Sequence, residues 1–294
     1  MDMKTIVVTG ANSGIGYETA KHFLAEGYRV VMAVRNLDKG KSAKEALMQL
    51  HPSGHAELRE LDLSKLSSVH AFSEGMLRDD VAINILVNNA GVMMPPHEIT
   101  EDGFELQFAS NHLGHFALTA QLLPLLEKSE GARVVSLSSI AYRFGEINFD
   151  NLDGKKGYSA QKFYGQSKLA NLLFAKELDR RLKENKYKTI STVAHPGFSA
   201  TNLFQFGKGK TPWYVRSAMK FFTQPAQMGS LPTIYAATEE SLNGGEFIGP
   251  DGKGERKGNP TIVTPKNGYV EEDVMKRLWE VSEQLTGVRY PFQK

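Results

Sequence analysis

The chain has 294 residues, 41% hydrophobic and 23% charged, proportions of an ordinary globular protein that exclude collagen-like, disordered and disulfide-scaffold classes. Lys plus Arg number 35 against 33 Asp plus Glu, a net charge of +2, too small for nucleic acid to be the expected partner. The absence of cysteine removes disulfides, thiolate nucleophiles and Cys-based zinc sites by inventory, and fits a reducing, cytoplasmic setting.

Thr5-Ile6-Val7-Val8-Thr9 is a β-branched run of strand length that stops at Gly10, too short for a signal peptide. Further strands are predicted near 28–34, 57–61, 83–88, 132–138 and 188–194, with a weaker one near 246–249. Between them, apolar residues at three- and four-residue spacing predict helices near 14–26, 38–50, 65–78, 101–127 and 160–185, then near 226–238 and 271–286. Strand and helix alternating in this way predict an α/β fold, a single-domain Rossmann-type doubly wound parallel sheet. No linker-like tract divides the chain, so residues 1–294 are read as one domain. No run of about 18 apolar residues occurs, so no transmembrane segment is expected. Residues 140–158 and 198–222 break the pattern and read as long loops at strand ends, where sites form.

Strand, glycine turn and helix follow one another at Thr9-Gly10-Ala11-Asn12-Ser13-Gly14-Ile15-Gly16. Glycines let the backbone approach a ligand closely, and the helix start aims unpaired N–H groups at a pyrophosphate. The spacing is Gly-x-x-x-Gly-x-Gly, distinct from the common Gly-x-Gly-x-x-Gly fingerprint. After the second strand stands Arg35, where an acidic residue would hold the ribose 2′-hydroxyl of NAD; a guanidinium there favours the 2′-phosphate of NADP. Asp62-Leu63 after the third strand and Asn88-Asn89-Ala90-Gly91 at the fourth suit the adenine and ribose edge.

Tyr164 and Lys168 lie four residues apart on a predicted helix, so they share a face. A phenol with an ordinary pKa near 10 donates a proton well, and a neighbouring ammonium is expected to lower that value and make the reverse transfer possible. Tyr158 and Lys162 have the same spacing, but Tyr158 follows Gly157 in an irregular stretch, whereas Lys168 runs on into an apolar-periodic helix. Ser139, at the end of the fifth strand, is placed to hydrogen-bond a substrate oxygen, with Ser138 as runner-up. His112 and His115 have no third ligand at metal spacing, so no metal site is expected.

The glycine turn, Asn88-Asn89-Ala90-Gly91, Asn111, Ser138-Ser139, Tyr164-Gly165-Gln166-Ser167-Lys168 and Pro196-Gly197, in that order, resemble the short-chain dehydrogenase/reductase family. Val135–Ser139 and Leu278–Gly287 resemble its retinol dehydrogenase and protochlorophyllide reductase-like branch. The resemblance implies reversible hydride transfer between NADP (NADPH) and a small-molecule carbonyl or alcohol. It implies Tyr164 as acid/base, Lys168 as its activator and ribose anchor, Ser139 as oxygen positioner, and Asn111 as a residue that bends its helix and holds a proton-relaying water. The expected cofactor contacts are Gly10, Asn12, Ser13, Gly14, Ile15, Gly16, Arg35, Asp62, Leu63, Asn89, Ala90, Gly91, Tyr164, Lys168, Pro196 and Gly197, with Ser199 or Thr201 near the carboxamide or phosphates.

By the same resemblance the substrate lid spans about 198–222. Phe198, Phe204, Phe206, Trp213, Tyr214, Phe221 and Phe222, with Met93 and Met94, suit a bulky apolar substrate, or serve as ordinary core. Lys208 and Lys210 at its Gly-Lys tip read as solvated. A homodimer is compatible with the family. Two alternatives stand beside carbonyl reduction: reduction of a carbon–carbon double bond, and a catalytically silent NADP-binding interaction or sensor protein.

Overall fold

In the central strands, side chains of alternating positions are buried on both faces, so apolar residues stand at consecutive positions, as in Ile6–Val8, Val30–Val34 and Ile85–Val87. The computed structural model describes residues 3–198, 224–265 and 268–292. Its strands are β1 (Thr5–Thr9), β2 (Arg29–Val34), β3 (His55–Glu60), β4 (Ile85–Asn88), β5 (Arg133–Leu137), β6 (Ile190–Ala194), β7 (Phe247–Pro250) and β8 (Pro260–Val263). They form one sheet in the order β3-β2-β1-β4-β5-β6-β7-β8, parallel except for the antiparallel β7–β8 pair. The chain leaves β3 at one edge and re-enters beside β1 as β4, so the strand order reverses between β1 and β4. Crevices outside the carboxyl ends of strands at such a reversal are where open α/β sheets bind ligands.

The helices are α1 (Gly14–Ala25), α2 (Leu37–Leu50), α3 (Leu66–Asp79), α4 (Leu106–Phe108), α5 (Gly114–Leu126), α6 (Ala160–Glu184), α7 (Ala226–Thr238) and α8 (Glu272–Thr286). Val7, Val31, Leu86 and Val134 point to one face of the sheet, into a core with Phe72, Phe116, Leu122 and Phe174. Their neighbours Ile6, Val8, Val30, Met32 and Val87 point to the other, against Phe23, Leu24, Leu47 and Ala236. The two-residue strand period thus divides one apolar run between two helix layers. The C-terminal tail closes the first layer: Trp279 stacks on Phe174, and Tyr290 donates its hydroxyl to the Phe116 carbonyl at 3.0 Å.

Three expectations need correction. The helix expected over 101–127 begins only at Leu106, because Ile99 and Glu105 first form an isolated β-bridge, and it passes through a π-helical turn, Ala109–Leu113, before α5. The loop expected over 140–158 opens with a 3-10 helix, Ile140–Phe144, capped by Ser139. β8 was not expected at all; it carries a proline and little burial, and forms only by pairing with β7. Ser199, Thr201, Phe204, Phe206, Lys208, Lys210, Trp213, Tyr214, Phe221 and Phe222 lie outside the described residues, so of the expected lid only Phe198 is described. Among the described residues no helix is long and apolar enough to cross a membrane.

Candidate active site

A cleft of about 660 Å³ opens at the carboxyl ends of β1, β2, β4, β5 and β6. One end is built by the turn after β1. Gly10 and Gly14 have φ of 67° and 58°, a region L side chains rarely adopt, and a Cβ on Gly16 would sit 2.4 Å from Asn89 Nδ2 and 2.5 Å from the Gly10 carbonyl oxygen. Asn89 Nδ2 donates to the Thr9 carbonyl at 2.6 Å, which ties β4 to this turn. The Ser13 side chain makes no capping bond to α1, so the N–H groups of the first turn are left for a ligand. Asn12, Ser13, Gly14, Ile15 and Gly16 all line the cleft, as do Asp62, Leu63, Asn89, Ala90 and Gly91. Arg35 is exposed beside them, and so is Lys39, which the sequence reading missed because it lies inside a helix one turn beyond the strand end.

Toward the other end lie Ser139, Tyr164 and Lys168. Ser139 caps the 3-10 helix by accepting from the Ala141 N–H at 3.2 Å, which fixes its hydroxyl at the end of β5, close enough to the Tyr164 phenol to act on its pKa. Ser138 is otherwise engaged: its buried hydroxyl donates to the Lys168 carbonyl at 2.7 Å. Tyr164 and Lys168 face the same way from α6, with Lys168 Nζ 5.8 Å from the centre of the phenol ring. Nζ also donates to the Leu137 carbonyl at 3.2 Å.

The electrostatics differ from expectation. Burial pushes the Tyr164 phenol up to about 12, opposed only by Ser139, and burial pushes Lys168 down to about 8. The ammonium contributes none of the expected lowering of the phenol, and desolvation, a tertiary effect that residue spacing does not carry, sets the direction. Below these values both groups hold their protons.

Asn111 stands in the π-helical turn, behind the cleft wall. Its Oδ1 accepts the Val92 N–H at 2.8 Å, and its Nδ2 donates to the Val92 carbonyl at 3.0 Å and to Ser167 Oγ at 2.9 Å. This pins the segment after Gly91 beside Lys168; a Cβ on Gly91 would lie 3.0 Å from Asn111 Oδ1 and 3.5 Å from Lys168 Nζ. His115 is buried, and burial pushes its imidazole down to about 4. Nδ1–H therefore donates to the Asn111 carbonyl at 2.9 Å, and Nε2 lies 2.9 Å from the Thr9 hydroxyl. His112 lies 2.8 Å from Ser282 Oγ through Nε2, bridging to α8. Among the described residues no group of three His, Cys, Asp or Glu could hold a metal.

The rival Tyr158 faces elsewhere. Its hydroxyl donates to the Pro95 carbonyl at 2.8 Å and accepts from Gln107 Nε2 at 3.0 Å, its ring stacks on His97, and it does not line the cleft. Tyr158→Phe is expected to keep kcat within about threefold while lowering unfolding free energy by about 1 kcal/mol. Parallel turnover and urea-unfolding measurements check both; loss of turnover with an unchanged midpoint would contradict the assignment.

The wall beyond Ser139 and Tyr164 is apolar, formed by Met93, Met94, Ile140, Ala141, Phe144 and Phe198, with Arg143 and Arg256 among them. Phe144 is 47% exposed and Phe198 37%. Pro196 and Gly197, after β6, complete this end. Arg143, Phe144 and Arg256 were missed by the sequence reading, since nothing in their local pattern sets them apart.

Comparison with known proteins places this architecture. The short chain dehydrogenase family matches residues 4–209. Human retinol dehydrogenase 11 is 38% identical over 286 residues, 97% of this chain and 86% of that protein. A Brassica napus protein named short-chain dehydrogenase TIC 32 A, chloroplastic, is 39% identical over 292 residues, 96% of this chain and 88% of its own. A crystal structure of an uncharacterized protein from Mycobacterium paratuberculosis superposes with a TM-score of 0.82 at 40% identity, covering 98% of this chain and 95% of that one.

Proposed function

The chain belongs to the short-chain dehydrogenase family, and we propose that it is an NADP-dependent oxidoreductase interconverting a bulky, apolar aldehyde or ketone and its alcohol. The observation that carries this reading is the grouping of Ser139, Tyr164 and Lys168 in the same cleft as the glycine turn and two exposed cations, Arg35 and Lys39. NADPH fits the cleft: a backbone cradle that a Cβ would fill, an uncapped helix start for the pyrophosphate, and two cations for a 2′-phosphate. When bound, it supplies the hydride.

The residues do the rest. Gly10, Gly14 and Gly16 admit the pyrophosphate, and Asn89, Ala90, Gly91, Asp62 and Leu63 line the adenine and ribose side. Ser139 and Tyr164 grip the substrate oxygen, Ser139 by its hydroxyl and Tyr164 by the proton it gives up as the carbonyl becomes an alcohol. Lys168 stabilises the phenolate left behind, and Asn111 holds the Gly91–Val92 segment beside Lys168. In the alcohol-to-carbonyl direction the phenolate takes the proton back. Met93, Met94, Phe144 and Phe198 give the apolar surface that favours a water-poor, hydrocarbon-rich substrate. A cytoplasmic location is the reading that the cysteine-free composition supports.

NADPH oxidation at 340 nm with a panel of apolar aldehydes and ketones tests the reaction. Turnover of the apolar members supports it, and no turnover across the panel, with NADPH bound, favours the silent binding protein instead. Cofactor choice has its own outcome. Replacing both Arg35 and Lys39 by Ala is expected to raise the KM for NADPH by about 10- to 100-fold, the loss of one or two charge-assisted hydrogen bonds, and to change that for NADH less than about threefold. Equal losses for both cofactors would remove the phosphate contact from the account.

A further inference from the structure

Glu255 has a backbone φ of 58°, directly after Gly254 at 69°, in the loop between β7 and β8. A side chain other than glycine is strained there, and such strain persists only where surrounding contacts hold it. Both carboxylate oxygens supply those contacts. Oε2 lies 2.9 Å from His195 Nε2, and Oε1 lies 2.5 Å from an Arg143 guanidinium nitrogen.

The imidazole's proton position follows from its other partner. His195 is fully buried, and its Nδ1 accepts the Gly197 N–H at 3.2 Å, so Nε2 carries the proton and donates to Glu255. Two further contacts fasten the same loop: the Phe198 N–H donates to the Arg256 carbonyl at 2.7 Å, and Arg143 donates to the Gly254 carbonyl at 3.2 Å. The fit is close on every side. A Cβ on Gly249 would lie 2.1 Å from His195 Nε2, and one on Gly197 would lie 2.3 Å from the Arg256 carbonyl oxygen.

We infer that Glu255 is a positioning residue for hydride transfer, a latch that joins the 3-10 helix after Ser139 to the His195-Pro196-Gly197 turn. Arg143 belongs to the helix that Ser139 caps, and Pro196 and Gly197 form the opposite wall of the same end of the cleft. The latch fixes the distance between Ser139, proposed to grip the substrate oxygen, and the Pro196–Gly197 turn, an expected cofactor contact. Misplacing such groups by about 1 Å can cost about 100-fold in rate. The inference rests on the proposed carbonyl reduction by NADPH.

Two substitutions separate the latch from backbone strain. Glu255→Gly relieves the left-handed backbone and removes the carboxylate; Glu255→Gln keeps the strained backbone and one acceptor oxygen, enough for His195 or Arg143 but not for both. The Gly variant is expected to fall at least about tenfold in kcat, with the NADPH Kd within about threefold and at least half of the nicotinamide fluorescence enhancement on binding lost. The Gln variant, with one side of the latch broken, is expected to fall at least about threefold in kcat and to lose part of the enhancement. Either variant with the parent's kcat and enhancement overturns the latch. If the parent protein turns over no carbonyl, the proposed reaction fails by itself and the fluorescence comparison alone decides the latch.

Discussion

Tyr164→Phe is expected to lower kcat for carbonyl reduction by about 10²- to 10⁴-fold while leaving the NADPH Kd within about threefold, the span that a positioned general acid contributes. The ring is retained, so the packing of α6 against the cleft floor changes little; the hydroxyl alone is lost. Since burial holds the phenol near 12 in the free protein, it keeps its proton through the neutral range and stands ready for reduction. Stopped-flow turnover and cofactor titration on the same sample separate the two quantities. A variant that loses NADPH affinity and rate together would place Tyr164 in binding and leave the proton donor unassigned.

Lys168→Met is expected to abolish measurable turnover and yet to stabilise the fold. The ammonium is fully buried and its pKa is pushed from 10.5 down to about 8 by desolvation, equivalent to roughly 3 kcal/mol against the folded state at neutral pH. Methionine matches the stem in volume. The Leu137 carbonyl would still accept from Asn171 Nδ2 at 2.9 Å, so no buried acceptor is orphaned. A gain of roughly 1–3 kcal/mol in unfolding free energy at pH 7 is therefore expected, part of the desolvation being offset by the lost contact. The sign fixes the pH dependence. Below about 8 the lysine is charged in both states and the folded form bears the full penalty, so the variant's advantage is greatest there. It shrinks as pH rises through that value toward 10.5, where the unfolded lysine also loses its proton. Urea unfolding at pH 7 and pH 10 checks this; a less stable variant at pH 7 would mean that the ammonium is satisfied in the folded protein.

These two residues were legible in the sequence because helix geometry is local: a Tyr and a Lys four residues apart share a face wherever the helix lies. The glycine turn was legible for a similar reason, its spacing being written into a strand–turn–helix segment. The preference for Tyr164 over Tyr158 came from helix continuity; the partners of the Tyr158 hydroxyl, Pro95 and Gln107, lie in distant parts of the chain and had no local signature. What the sequence did not carry is what depends on contacts between segments far apart. β8 exists only against β7, the π-helical turn under Asn111 follows from packing around Val92 and Ser167, and the upward push on the phenol comes from burial by the whole fold. His195 and Glu255 are 60 residues apart, and neither has a local signature. Lys39 went unread because a lysine on a helix is most often a solvated charge.

On the proposed reading the glycine-lined end of the cleft, with Arg35 and Lys39, takes the dinucleotide, and the end with Ser139, Tyr164 and Lys168, where Met93, Met94, Phe144 and Phe198 stand beside Arg143 and Arg256, takes the substrate. In a crystal structure of the protein with NADP and a tightly bound apolar alcohol, the alcohol oxygen is expected at about 2.6–3.2 Å from both the Tyr164 hydroxyl and Ser139 Oγ. An alcohol oxygen held by other groups, with the Tyr164 hydroxyl directed away from it, would contradict the account.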